Sequence, residues 1–316
     1  MKDAITRRRF ISGGAAVGAT VTLGGGWLGG LASAAAESSA DTAGLVAVTG
    51  PDGFLNTVSA VEALGGMARF VPKGASVVIN ANTAFKHRGS IVDPAVLLAT
   101  LTLCAGAGAG KIRLLKGARD GYWRRCDRSA DHVGLIDSVE VSKREFEVVE
   151  IPRGVSLKEA HVDRLLLPAD VYLDVTIAKH HKGCGFTGVL KNTMGACPHD
   201  PTCRFFHVGI NPDSEEWYPD VDHLSQCVAD LNLVRQPDLC VVDAGEILTT
   251  NGPFGPGELA RPRAVVASTD IVAADAYGVR YLDLDPETVA MIGKAEKHGL
   301  GTADLARVGV REIALG

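Results

Sequence analysis

The amino-acid sequence predicts an α/β fold, with a mostly parallel sheet covered by helices on both faces and arranged as one domain or two lobes. Three observations lead there. From residue 44 onward, short apolar runs alternate with stretches of helical period. The runs "ASVVINAN", "DLCVVDAG" and "RAVVAST" are near-continuously apolar, the pattern of strands buried on two faces. Strand and helix also follow one another in βαβ order, which lays helices over a sheet.

Each element can be justified in turn. "GLVAVTG" reads as a strand, and "FLNTVSAVEALGGMARFV" as a helix with apolar residues at three- and four-residue steps. "ASVVINAN" is the next strand, followed by the helix "DPAVLLATLTLCAGAGA", which Asp93-Pro94 starts, and the strand "KIRLLKG". "FEVVEI" and "DVYLDVTIA" read as strands, and "GFTGVLKNTMG" as a short helix. Then come the helix "VDHLSQCVADLNLV", the strands "DLCVVDAG" and "RAVVAST", the helices "IVAADAYGVRYL" and "PETVAMIGKAEKHG", and a last strand "VREIAL". No internal repeat is visible.

Before these elements, residues 1–36 read as a signal peptide. Arg7, Arg8 and Arg9 precede Phe10 and Ile11, a mildly apolar Gly-rich stretch, and small residues at Ala32 to Ala36. As a buried helix the stretch would carry five glycines between Gly24 and Gly30, each costing on the order of 1 kcal/mol. The order Thr6-Arg7-Arg8-Arg9-Phe10-Ile11 resembles the twin-arginine export motif. The expectation is export through the twin-arginine machinery to the periplasm or the cell exterior, with residues 37–43 as a linker and 44–316 as the α/β domain.

Removing those 36 residues, which carry a net +3, changes the formal charge from −5 to −8. An acidic chain offers no nucleic-acid footprint. After residue 36 no apolar run is long enough to span a bilayer, so no membrane span is expected in the mature chain.

The densest chemistry lies in "AKHHKGCGFTGVLKNTMGACPHDPTCRFFH", residues 178–207, with four His, three Cys and three Lys. It follows the strand "DVYLDVTIA" directly, and ligands of such sheets bind outside the carboxyl ends of the strands. His181 can move protons or bind a borderline metal. Lys191 and Asn192, at a helix start with unsatisfied backbone N–H groups after Gly188, favour a small anionic ligand. His180 points away from its neighbour. Asn82, at its own strand end, reads as a turn former or a crevice residue. Asp243 and Glu246 open a second irregular loop, "DAGEILTTNGPFGPGE", for which a rigid connector and a crevice wall are equal readings.

"KHHKGCGFTGVLKNTMG" resembles the signature of the family called domain of unknown function 362, through Lys179, His181, Thr187, Gly188, Lys191, Asn192 and Gly195. Later elements of that family are similar to "DLCVVDAGEILTTNGPFGPGE", "ASTDIVAADAYG" and "KHGLGTADLARVGV". The stretch also resembles the nickel-pincer lactate racemases through His181, Gly185, Phe186, Gly188, Lys191 and His207. That resemblance implies Lys191 as the tether of a covalent cofactor, His207 as a metal ligand and His181 as a proton shuttle. This sequence departs from the pattern at Val189 and Leu190, and no residue fits the racemases' second catalytic histidine, His87 being the nearest.

All seven cysteines fall after residue 36. An oxidising compartment would favour a Cys197–Cys203 disulfide. Cys104 and Cys240 lie in apolar runs and read as core. A mononuclear site drawn from Cys184, Cys197, Cys203, His199 and His207 is the competing reading, with nickel, iron or zinc as the candidate transition metal. No Cys ladder for an iron–sulfur cluster is present.

Three functions are therefore compatible with this sequence. The first is a metal- or cofactor-dependent enzyme acting on a small anionic substrate. The second is a non-catalytic metal-binding or electron-transfer protein, and the third a disulfide-stapled anion-binding module.

Overall fold

A computed structural model describes residues 43–207 and 220–316; the expected signal peptide and the expected linker up to residue 42 lie outside the described residues. The strands are β1 (Leu45–Thr49), β2 (Ser76–Ala81), β3 (Lys111–Leu114), β4 (Glu140–Val141), β5 (Phe146–Glu150), β6 (Glu159–Asp163) and β7 (Val171–Ile177). They continue with β8 (Lys179–His181), β9 (Gly185–Thr187), β10 (Leu239–Ala244), β11 (Ile247–Leu248), β12 (Leu259–Ala260), β13 (Ala264–Ser268) and β14 (Val310–Ala314).

Among the described residues, eight strands form one sheet in the order β14-β1-β13-β10-β7-β2-β3-β4, and three two-stranded ribbons (β5-β6, β8-β9, β11-β12) stand beside it. Only β13 runs antiparallel to its sheet neighbours, β1 and β10. The other pairings, β1-β14, β10-β7, β7-β2, β2-β3 and β3-β4, are parallel.

Every residue of β7, β10 and β13 is buried, so helices cover both faces, as continuous apolar strands require. The helices Gly53–Ala63 and Pro94–Gly106 pack on each other, the first also against β1 and β13. Asp52 and Asp93 cap them through side-chain oxygens that accept first-turn N–H groups. The first helix stops where Gly65 and Gly66 take φ of +105° and +81°. Val221–Leu231, Ile271–Gly278 and Ala290–Lys297 form a second group, in which Ile271–Gly278 lies on β10 and β13.

The carboxyl ends of β2, β7 and β10 come out at one edge. Register pairs Ala81 with Val175 and Asp243 with Ile177, so Asn82, Lys179 and Gly245 follow at neighbouring positions. The ribbon β8-β9 rises from this edge as a direct continuation of β7.

Candidate functional site

The ribbon pairs Lys179 with Thr187, His180 with Phe186 and His181 with Gly185, and Gly185 supplies the left-handed turn residue at φ +78°. Alternation along β8 puts Lys179 and His181 on one side, both buried, and His180 on the other. His180 accepts the Gly252 N–H at Nδ1 (3.0 Å), which ties it to the second loop rather than to the cluster.

His181 accepts the Gly183 N–H at Nδ1 (3.0 Å), so the proton of its neutral ring sits on Nε2. Burial, then Lys191, His207, Lys179 and His180, hold its pKa far below the usual histidine range. His207 lies with its ring centroid 6.4 Å from that of His181. Its Nδ1–H donates to the Cys203 carbonyl (2.7 Å), leaving the lone pair on Nε2. The two imidazoles are thus opposite in hydrogen-bonding sense, one presenting Nε2–H and the other a basic Nε2. Burial lowers the pKa of His207 as well.

Lys191 is partly buried, its Nζ 3.4 Å from the thioether of Met194. Desolvation lowers its pKa. Lys179 is fully buried, donates from Nζ to the Ser90 carbonyl (2.6 Å) and the Pro253 carbonyl (3.2 Å), and lies 4.1 Å from the centre of the Phe85 ring. Burial and then Lys191 push its pKa well down. Among the described residues neither lysine is paired with a carboxylate. Thr187, opposite Lys179, keeps a buried hydroxyl that no described group satisfies.

The start of the Val189–Asn192 helix departs from expectation. Its N–H groups at Val189 and Leu190 already donate to the Asp275 carboxylate, at 2.6 and 3.1 Å. The anion expected there is supplied from within the fold, by the helix Ile271–Gly278. Gly188 is required by this contact, since a Cβ would collide with the Asp275 carboxylate and the Phe186 ring. Asn192 likewise faces inward, donating from Nδ2 to the Asn80 carbonyl (3.2 Å) and to Asp174 Oδ1 (2.9 Å). Asn80 and the Tyr172 hydroxyl each donate to Asp174 Oδ2 at 3.2 Å. Burial raises the pKa of Asp174 to about 8. Asn80, Tyr172, Asp174 and Asp275 form the polar support under the site, and none was singled out in the sequence. A lone acid inside a fully apolar strand is the signal that could have found Asp174.

Asp243 is buried at the end of β10, where its Oδ2 accepts the Asp93 N–H (2.6 Å) and Oδ1 the Gly245 N–H (2.7 Å). Burial raises its pKa to about 7. It braces the cap of Pro94–Gly106 rather than facing the histidines. Asn82 serves through its main chain, donating to Val175 O (3.1 Å) and accepting from Val92 N–H (3.0 Å). Glu246 forms exposed ion pairs with Arg88 (2.6 Å) and Arg261 (2.8 Å). His87 lies exposed in the loop after β2.

The five candidate metal ligands, Cys184, Cys197, Cys203, His199 and His207, are not drawn together. Cys184 turns its thiol to the Phe186 carbonyl (3.2 Å), beside His181 Nδ1 (3.4 Å), and Cys203 turns its thiol to the Met194 carbonyl (3.6 Å). Cys197 is buried, its carbonyl held by Arg144 at 2.7 Å. Among the described residues no three His, Cys, Asp or Glu side chains converge as a metal-ligating group. The expected Cys197–Cys203 disulfide is not formed, all seven cysteines being free thiols. Burial pushes the Cys184 thiol up to about 11 and raises Cys203 too. Cys104 and Cys240 are buried core residues, as expected.

The covalent metal cofactor implied by the racemase resemblance can be tested against this geometry. A desolvated lysine amine suits covalent attachment, and an imidazole oriented by Nδ1–H on a backbone carbonyl suits metal ligation at Nε2. Lys191 and His207 meet those requirements.

A family model described as domain of unknown function 362 matches residues 76–280, which span the ribbon, the Gly/Pro loop and Asp275. The chain belongs to this family. Thylakoid-associated protein sll1697 of Synechocystis sp. is 25% identical over 244 residues, which cover 76% of this chain and 73% of that protein. A solved structure, the lactate racemase apoprotein from Thermoanaerobacterium thermosaccharolyticum, aligns at 13% identity and a TM-score of 0.41. The alignment covers 75% of this chain, which spans 56% of that protein's length.

Proposed function

We propose that this member of the domain of unknown function 362 family is a metal- or cofactor-dependent enzyme acting on a small anionic substrate. The observation that carries the reading is the cluster beyond β7. There Lys179 and Lys191 lack carboxylate partners among the described residues, beside the oppositely polarised pair His181 and His207. Lysine amines with no carboxylate partner favour an anion. His181 donates a proton from Nε2, His207 accepts through Nε2, and Lys191 binds the anion or carries the cofactor. A metal held by His207 at Nε2 would replace that proton acceptance and would supply Lewis-acid polarisation of a substrate oxygen instead. The cysteines, their thiols turned to carbonyls, favour this reading over the non-catalytic metal-binding or electron-transfer alternative.

We also read residues 1–36 as a twin-arginine signal, so that the protein works outside the cytoplasm. Replacing Arg7, Arg8 and Arg9 by Lys should leave the precursor inside the cell, and unchanged export would contradict this.

The test of the cofactor is the intact mass of the protein recovered from its own host, measured under native and then denaturing conditions. The expected result is a mass above that of the cleaved chain. An excess that survives denaturation and maps to Lys191 marks a covalent cofactor, and one lost on denaturation marks a metal. A bare chain in both conditions would contradict the proposal.

A further inference from the structure

We propose that Lys179 is a positioning residue whose ε-amine fastens together the two loops that rim the site, residues 82–92 after β2 and residues 249–258 after β11. Its Nζ reaches one carbonyl from each, Ser90 at 2.6 Å and Pro253 at 3.2 Å, while its side chain is wholly buried. Burying an amine is costly, and among the described residues no carboxylate offsets the cost. What the amine gains is two main-chain acceptors on irregular backbone that no strand would otherwise satisfy.

The same two loops meet around this point in other ways. Phe85, whose ring lies under the Lys179 amine, packs edge-on against Phe254 with centroids 5.1 Å apart. Just before the second loop, the N–H of Leu248 in β11 donates to the Gly89 carbonyl (3.0 Å). The second loop is then sewn to β8, since the Gly252 N–H donates to His180 and the Lys182 N–H to the Gly252 carbonyl, both at 3.0 Å. A Cβ on Gly252 would strike the His180 carbonyl, so the strand and loop are in direct contact. Lys179 is the one side chain of β8 that touches both loops at once through its amine, and it stands two residues before His181. The position of the rim relative to the histidines therefore passes through it. This inference adds to the proposed function without depending on it, because it concerns the loops and not the chemistry.

The test is hydrogen exchange read by mass spectrometry on the purified protein, comparing the wild type with Lys179→Met and Lys179→Gln. In the Met variant, amides of both loops should exchange roughly tenfold faster or more, as expected for losing two hydrogen bonds, while β1 and β14 keep their protection. Lys179→Gln retains two N–H donors and should restore part of the protection in both loops. Faster exchange in one loop only, equal acceleration across the sheet, or no rescue by Gln would overturn the assignment. Should Lys179→Met fail to fold, Phe85→Leu removes the ring under the amine and should loosen the same two loops by a smaller factor. Unchanged exchange in either loop of that variant would overturn it as well.

Discussion

The carboxylate of Asp275 accepts the backbone N–H groups of both Val189 and Leu190, at 2.6 and 3.1 Å, and so closes the start of the Val189–Asn192 helix from inside. The helix is short, and this contact fixes where Lys191 leaves the backbone. Asp275→Ala would strand two buried N–H donors and should cost about 2–5 kcal/mol in urea unfolding. Asp275→Asn keeps one acceptor and should cost less. Equal stability of the Ala variant and the wild type would show that the carboxylate does not hold the helix.

Asp174 makes the stability of the fold depend on pH. Burial raises its pKa from 3.8 to about 8, so the native state holds a proton that the unfolded chain releases near pH 4. Its contribution is full below pH 4, declines as pH rises, and is gone above about pH 8. Between pH 5 and 8 the wild type should therefore lose stability, and Asp174→Asn should lose less by up to about 4 kcal/mol. Asp243 and Asp275, both raised to about 7 by burial, act in the same direction, so some decline will persist in the variant. Urea titrations at the two pH values decide it; parallel losses would contradict the prediction.

Gly188 is constrained by space rather than by backbone angle, its φ being −145°. Gly188→Ala drives a methyl group into the Asp275 carboxylate and the Phe186 ring. A loss of about 1–3 kcal/mol is expected from overpacking, readable in a thermal melt. A neutral substitution would mean that the Asp275 contact can give way.

Most of the sheet was legible because β-branched, near-continuous apolar runs have few alternatives as buried strands. "DVYLDVTIA" and "DLCVVDAG" became β7 and β10 within a residue or two at each end. The reversed direction of β13 was not legible, since "RAVVAST" pairs as well either way and only the chain path through β11 and β12 decides it. In the site, β8 was readable for the placement of His180 against His181, which alternation alone dictates. The helix start after Gly188 reads in the sequence as an open anion site, because its counter-charge, Asp275, lies 86 residues beyond Val189 in "IVAADAYG". The same holds for Asn192, whose partners Asn80 and Asp174 sit on two other segments. Long-range polar pairs leave only a stray acid or amide in an apolar run.

That Lys191 binds a small anion beside the His181–His207 pair can be read from calorimetric titration of wild type and Lys191→Met with acetate, lactate and oxalate. Saturable binding of at least one of these to the wild type is expected. Affinity should fall roughly tenfold or more in the variant, the usual worth of a charged hydrogen bond, and added salt should weaken binding in the wild type. Binding that is equal in both proteins, or absent from the wild type for all three anions, would contradict it.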